Sequence, residues 1–290
     1  MKANERWRNF LDRDDGNRVG IARFHSLVNT DLNKAWFDAS RHWIEDVGGE
    51  RIYAGWLDVV PGRAALCFEQ LVIEEYPSRQ AAVEVMSRSE SEVEMGLKES
   101  FVLALAPESR LRHRLVSLIG RTVKALRPVR VTEVPEVQYP KDMGGLDQTS
   151  DEAQLAVFHR SDQWQPFTMV NLNTFRHRAQ YAEEAEPSAS LGGKEVYQKY
   201  ERNTALEVYR RGGNFYWIAR PVAVLTGDAS HPLAQQWSQF VLVNWPSRMA
   251  FRHLISARNF RRGFDHRNAG IEHAIAIPGT PFLEFRRYSI

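Results

Sequence analysis

One ten-residue pattern occurs twice in the chain, and this repeat restricts the possible folds more than any other feature. Residues 70–79 read QLVIEEYPSR and residues 239–248 read QFVLVNWPSR. Each copy predicts a strand that ends at proline, followed by a helix that Ser78 or Ser247 can cap at its N-terminus. A repeat of this kind favours a fold built from two copies of one unit.

The segments around each pattern predict the same order of elements in both halves. A helix over 30–47 ends at Gly48-Gly49 and a helix over 194–211 ends at Gly212-Gly213, since glycine commonly ends a helix in the left-handed conformation. The inward face of the first of these helices is predicted to be Leu32, Trp36, Ala39, Trp43 and Val47. The remaining segments are short helices at 5–11 and 151–159 and strands at 19–24, 51–57, 101–106, 167–172, 215–224 and 273–277.

Each half therefore reads as a short helix followed by β-α-β-β-α-β, which is the ferredoxin-like order. A sheet with helices on one face must have its other face covered, and a second copy can cover it. The predicted fold class is α+β, with two tandem ferredoxin-like repeats whose antiparallel sheets form a pseudo-dimeric α+β barrel. The predicted domains are a diverged first repeat over 1–107, a basic connecting helix and linker over 108–150, and a second repeat over 151–290.

Composition excludes several classes of protein. The 290 residues carry 38 basic and 36 acidic side chains, so no concentrated charge predicts a nucleic-acid partner. The single cysteine, Cys67, excludes an intrachain disulfide and fits a reducing, cytoplasmic location. The charged N-terminus does not resemble a signal peptide, and no apolar stretch is long enough to predict a transmembrane span. A homodimer is left open.

The connecting segment has a helix with one basic and one apolar face. Its basic residues are Arg110, Arg112, Arg114, Arg121, Lys124 and Arg127, and its apolar face comprises Leu111, Leu115, Leu118, Thr122 and Leu126. Such a helix could dock on anionic lipid or an acidic partner, or it could simply connect the repeats with one face in solvent.

The second repeat, over about residues 150–280, contains a characteristic set of motifs: Met169-Val-Asn-Leu172 with Phe175-Arg176, Tyr197 and Tyr200, Gly212-Gly213, Trp245-Pro-Ser-Arg248, and His266-Arg-Asn-Ala-Gly-Ile271. By these motifs it resembles an uncharacterised family of dimeric α+β barrel proteins. The first repeat departs from them, with Ile21-Ala-Arg-Phe24 in place of Met-Val-Asn-Leu and no His-Arg pair. The resemblance implies the fold and the pseudo-dimeric pairing, and it favours a site in the second repeat.

Within that repeat, His266 is the candidate general acid or base, because histidine titrates near neutral pH. Asn171 and Asn173 lie two residues apart in a predicted strand and so share a face. Tyr197 and Tyr200 share a helix face and could present two hydroxyl groups. The remaining candidates for substrate binding are the arginines that could hold an anionic group, Arg220, Arg248 and Arg267.

Three functions remain open from the sequence. The first is a cofactor-independent enzyme, of oxygenase, isomerase or lyase type, that acts on a small apolar or aromatic molecule. The second is a non-catalytic ligand-binding or assembly protein, and the third is a haem protein with an axial histidine such as His253 or His266. No His or Cys spacing predicts a metal site, and glycine-rich nucleotide loops are absent from the sequence.

Overall fold

The chain divides into two compact units, each assembled from separate stretches of sequence. The computed structural model describes residues 5–59, 67–88, 95–132, 152–181 and 191–282. The first unit consists of Met1–Pro107, Ala219–Gln236 and Gly279–Ile290, and the second of Glu108–Ile218 and Trp237–Pro278. The predicted connecting segment thus contributes its helix to the second unit. The rest of that segment, residues 133–150, lies outside the described residues.

The first unit has an antiparallel sheet with helices α1, α2 and α3. Its elements are α1 (Glu5–Leu11), β1 (Val19–Leu27), α2 (Thr30–Asp46), β2 (Glu50–Leu57), β3 (Gln70–Tyr76), α3 (Arg79–Arg88) and β4 (Leu97–Pro107). The last residues of two later strands, β6 (Asn214–Thr226) and β8 (Ile271–Pro281), complete the order β8-β2-β3-β1-β4-β6. A 3₁₀ turn at Pro232–Ala234 also belongs to this unit.

The second unit combines the first residues of β6 and β8 with two strands and six helices. The further elements are α4 (Arg110–Leu126), α5 (Glu152–Arg160), β5 (Phe167–Phe175), α6 (Gly193–Arg210), β7 (Gln239–Trp245), α7 (Arg248–Ser256), α8 (Arg258–Arg262) and α9 (Phe264–Gly270). The strand order here is β8-β5-β7-β6, and β5 pairs antiparallel with β7.

The local signals in the sequence account for where these elements begin and end. Ser78 Oγ accepts a hydrogen bond from the amide of Ala81 at 3.2 Å, and Ser247 Oγ accepts one from Ala250 at 3.1 Å, so both predicted helix caps are confirmed. Gly48 and Gly212 adopt φ angles of 73° and 82°, the left-handed conformation that ends α2 and α6.

A close approach of two backbones fixes α9 against α6. A Cβ atom on Gly193 would lie 2.5 Å from the carbonyl oxygen of Gly270, and one on Gly270 would lie 2.5 Å from that of Gly193. Because real Cβ atoms do not come so close, only glycine allows this contact. The contact sets which residues of α9 face α6.

The α+β class and its antiparallel strands are confirmed, and the second unit has α4, α8 and α9 in addition to the elements predicted for the second repeat. The predicted inward face of α2 is wrong in detail. Leu32 is exposed, whereas the buried positions of α2 include Asn33, Ser40 and Ile44. The prediction failed because Asn33 and Ser40 are polar, and hydrophobic periodicity assigns such residues to the solvent side.

Candidate functional site

A cavity of about 160 Å³ lies within the second unit, between its strands and helices α6 to α9. Most of its wall is aromatic or aliphatic, and the largest of these side chains are Met169, Phe215, Trp245, Phe251, Phe260 and Phe264. The polar groups that reach it are Asn171, Asn173, Tyr197, Tyr200, Glu201, Thr204, Gln239 and Arg267. Apolar walls with a few polar groups are typical of a pocket for a small organic molecule.

Four of the polar side chains form one hydrogen-bonded chain across β5, β7 and α6. Asn173 Nδ2 donates to Gln239 Oε1 at 3.0 Å and to the hydroxyl of Tyr197 at 3.4 Å. Gln239 Nε2 then donates to Glu201 Oε1 at 3.0 Å. The register of the sheet supports this chain, because Asn173 and Gln239 are direct partners of β5 and β7. The chain fixes a carboxyl group at the cavity.

The side-chain amide of Asn171 is held only by weak hydrogen bonds within the protein. Its Nδ2 donates to the backbone carbonyl oxygens of Met169 and Val241 at 3.3 and 3.5 Å, near the limit for a hydrogen bond. Among the described residues, no group donates to its Oδ1. This oxygen can therefore accept a hydrogen bond from a ligand.

Burial changes the acid–base properties of the cavity wall. Burial raises the pKa of Glu201 above its ordinary value, and the hydrogen bond from Gln239 offsets part of that effect. Burial also raises the pKa values of Tyr197 and Tyr200, so both phenols stay protonated and can donate hydrogen bonds. A buried carboxyl group with a raised pKa is a candidate for proton exchange with a bound molecule.

The equivalent space in the first unit is occupied by long charged side chains. The registers identify the equivalent positions, because Arg23 faces Val72 across β1 and β3 as Asn171 faces Val241 across β5 and β7. By the same registers, Glu74 of the first unit corresponds to Val243 of the second. The second unit thus has an amide and a methyl-bearing side chain where the first has a guanidinium and a carboxylate.

In the first unit these charges satisfy one another. Glu74 accepts hydrogen bonds from Arg23, Arg51 and the hydroxyl of Tyr76. Burial alone would raise the pKa of Glu74, yet the two guanidinium groups hold it below its ordinary value. Burial lowers the pKa of the neighbouring His25 to about 4, so this imidazole is neutral at pH 7. These buried side chains form one ion network in the interior of the first unit.

Five of the predicted site residues line the cavity of the second unit, namely Asn171, Asn173, Tyr197, Tyr200 and Arg267. They come from β5, α6 and α9, which the fold brings together. The roles predicted for them stay predictions.

The other three predicted residues lie elsewhere. His266 precedes Arg267 on α9, and successive helical residues point about 100° apart, so His266 does not line the cavity; its Nδ1 is 2.7 Å from the hydroxyl of Tyr181. The buried guanidinium of Arg248 lies over the rings of Phe158 and Phe167, at 5.3 and 5.1 Å. Arg220 is an exposed residue of β6 in the first unit.

Sequence reasoning missed two residues of the polar chain, Glu201 and Gln239. Both had a detectable signal. Glu201 follows Tyr197 by four positions and therefore shares its helix face. Gln239 is the first residue of the repeated pattern, at the position that Gln70 holds in the other copy.

No three His, Cys, Asp or Glu side chains of the described residues are placed to hold a metal ion. None of the helices in the described ranges is both long and apolar enough to cross a membrane. No histidine is found among the residues that line the cavity, so His253 and His266, the axial ligands suggested for a haem, are not in its wall.

Comparison with known proteins gives similarity at the level of structure. No family model matches the sequence, and no curated protein matches it. A protein of unknown function from Rhodopseudomonas palustris is 27% identical and covers 49% of this chain and 99% of its own, with a TM-score of 0.41. A candidate monooxygenase from Lactobacillus acidophilus NCFM is 5% identical, with 91% of this chain and 94% of its own covered and a TM-score of 0.44.

A variant of chlorite dismutase from Candidatus Nitrospira defluvii is similar over 92% of this chain and 93% of its own, at 8% identity and a TM-score of 0.46. All three TM-scores lie below 0.5, so these similarities assign no function to this chain.

Proposed function

We propose that the second unit binds a small, mainly aromatic molecule that carries a hydroxyl or carbonyl group. The observation that supports this most directly is the cavity, with its aromatic wall and its chain of polar side chains from Asn173 to Glu201. A planar ring would bury its faces against Tyr200, Phe260 and Phe264. Its polar group would meet the Asn171 and Glu201 side chains.

The two units then have different roles. We infer that they arose by duplication, since β1–β3 and β5–β7 share one register and one residue pattern. The first unit keeps a charged and filled interior, which serves stability. The second has shorter side chains at the equivalent positions, which leaves room for a ligand. A homodimer and a cytoplasmic location remain predictions.

The binding proposal is tested with 1-naphthol and naphthalene as probes. Isothermal titration calorimetry and native mass spectrometry should detect binding of 1-naphthol and weaker binding of naphthalene, because only 1-naphthol can bond to the polar chain. The Val241→Phe variant, which fills the cavity, should lose both. Equal binding by this variant and the parent would contradict the proposal.

A second candidate is a cofactor-independent enzyme whose chemistry begins with a proton transfer. The observation that favours it is the carboxyl group of Glu201 in the cavity, with a pKa that burial raises. Oxygenase, isomerase and lyase reactions that use no cofactor can begin with removal of a proton from the substrate by a general base. Glu201 is better placed for this step than His266, which is bonded to Tyr181 outside the cavity wall.

The two variants Glu201→Gln and His266→Ala separate these assignments. Loss of turnover in Glu201→Gln, with binding and melting temperature kept, would support Glu201 as the base. Loss of turnover in His266→Ala alone would instead support His266 as the general base. If a bound ligand is released unchanged by the parent protein, the chain is a binder.

A further inference from the structure

Helix α4 packs on α6 through a narrow face of small and polar residues. Tyr209 of α6 lies against Gly120, where a Cβ atom would come 2.6 Å from the ring, and its hydroxyl donates to the carbonyl oxygen of Val116 at 3.4 Å. Nε2 of the buried His113 accepts a hydrogen bond from the amide of Ile218 at 3.0 Å. This docking face contains none of the leucines of α4.

The leucines of α4 point outward instead. The exposed fractions of the apolar side chains on the outer face lie between 49% and 78%, and the residues are Leu111, Leu115, Leu118, Ile119 and Leu126. Most follow one another at spacings of three or four, so they form one stripe along the helix. A contiguous apolar patch of this kind marks an interaction site in a soluble protein.

A basic stripe runs beside the apolar one. Its exposed residues are Arg110, Arg114, Arg121 and Lys124. The helix contains no acidic residue, and Glu108, which precedes it in sequence, forms an ion pair with Arg112 at 2.8 Å. The surface that α4 presents is therefore both apolar and positively charged.

We propose that this α4 surface binds the headgroup region of an anionic lipid membrane. The leucines would enter the boundary between headgroups and acyl chains, and the arginines would contact lipid phosphates. A second copy of the chain is a poorer partner, because pairing two α4 surfaces would bring two stripes of like charge together. The proposal concerns attachment to one face of a membrane and is independent of the cavity.

The test is co-sedimentation of the full chain with vesicles of phosphatidylcholine, with and without 30 mol% phosphatidylserine. Binding is expected only to the anionic vesicles and should weaken as salt is raised. In Arg114→Gln/Arg121→Gln, the partition coefficient should fall roughly 30-fold, since each basic residue near the surface contributes about a fivefold factor. Leu115→Ser/Leu118→Ser should lower it at least about tenfold through lost apolar burial.

Val28→Ser is the matched control, because Val28 is an equally exposed apolar residue in the first unit. It should bind vesicles as the parent does. The proposal is overturned if no anionic vesicles bind, or if they bind the α4 variants as well as the parent. It is also overturned if analytical ultracentrifugation shows a dimer that the leucine variant dissociates while vesicles stay unbound. Melting curves of each variant check the fold, and the arginine variant decides alone if the leucine variant unfolds.

Discussion

Gln239 donates a hydrogen bond from Nε2 to Oε1 of Glu201 over 3.0 Å, which joins strand β7 to helix α6 at the cavity. This bond stabilises the charged form of Glu201, whereas burial disfavours it more strongly. The protonation of Glu201 is therefore coupled both to folding and to the side chain of its neighbour.

The first prediction concerns this coupling. Because the pKa of Glu201 is raised, the folded protein holds a proton that the unfolded chain releases once the pH exceeds the ordinary value of 4.5. The free energy of unfolding should therefore decrease as pH rises from that value through the raised one. The Glu201→Gln variant should not show this decrease. Urea unfolding should therefore give it a free energy of unfolding that rises relative to that of the parent between pH 4 and pH 7.5. Gln239→Ala should make the decrease in the free energy of unfolding larger, and Glu201→Gln/Gln239→Ala should abolish it. A difference between Glu201→Gln and the parent that does not change with pH would contradict a raised pKa of Glu201.

The second prediction compares two valines at equivalent register positions, Val241 beside the cavity and Val72 in the filled interior. Val241→Phe should be no less stable than the parent, since its ring enters empty space. Val72→Phe should lose about 1–3 kcal/mol, because added volume in a filled interior forces strain. Urea unfolding measures both. Equal losses would mean that the cavity is closed in solution.

The third prediction concerns the buried ion network of the first unit. Glu74→Gln leaves the guanidinium groups of Arg23 and Arg51 without a counter-charge, which should cost about 3–5 kcal/mol. The matched surface pair is Arg41 and Glu45, whose side chains are 71% and 54% exposed, and Glu45→Gln should cost less than about 1 kcal/mol.

The same network predicts a response to acid. The pKa of Glu74 is lowered, so its contribution to stability is complete above the ordinary pKa and is lost as pH falls through the lowered value. Acid unfolding followed by circular dichroism should therefore begin at a higher pH in weakened variants such as Arg51→Gln. An unchanged acid transition would show that the carboxylate contributes little.

The fourth prediction uses two neighbouring glycines at the start of α6. A Cβ on Gly193 would meet two backbone carbonyl oxygens at 2.5 Å, whereas one on Gly192 would have its nearest contact at an ordinary 3.6 Å. Gly193→Ala should thus destabilise the second unit by about 1–3 kcal/mol. Gly192→Ala should cost less than about 1 kcal/mol. Comparable melting temperatures for the two variants would refute the close approach.

Much of the fold could be predicted because its signals are local. The repeated strand–proline–serine pattern, the Gly pairs and the apolar periodicities each depend on neighbouring residues, and they located the helices and strands of both units. The prediction of the inward face of α2 failed because Asn33 belongs to a buried polar network. Gln70 Nε2 donates a hydrogen bond to Asn33 Oδ1 at 3.0 Å, and Gln70 lies on a strand far from α2 in sequence.

The cavity was only partly predictable for the same reason. Asn171 and Tyr197 were found because a polar strand residue and a tyrosine pair stand out in the sequence. The space itself comes from shorter side chains on two strands, Asn171 of β5 and Val243 of β7, so neither segment alone predicts it. The docking of α4 was also hidden, since Gly120 allows the approach of Tyr209 from a face that has no apolar stripe.

The contact between Gly193 and Gly270 has a consequence for how the ligand range of this protein can change. The two backbones touch with no side chain between them, so no change of side chain at this contact can bring α9 and its Arg267 closer to α6. Mutations that widen or narrow the pocket then fit better at wall residues away from this contact, such as Met169, Val241 and Val243 of the strands. Directed evolution toward larger ligands is best concentrated on such positions, because libraries built on the α6–α9 contact will yield mostly destabilised variants.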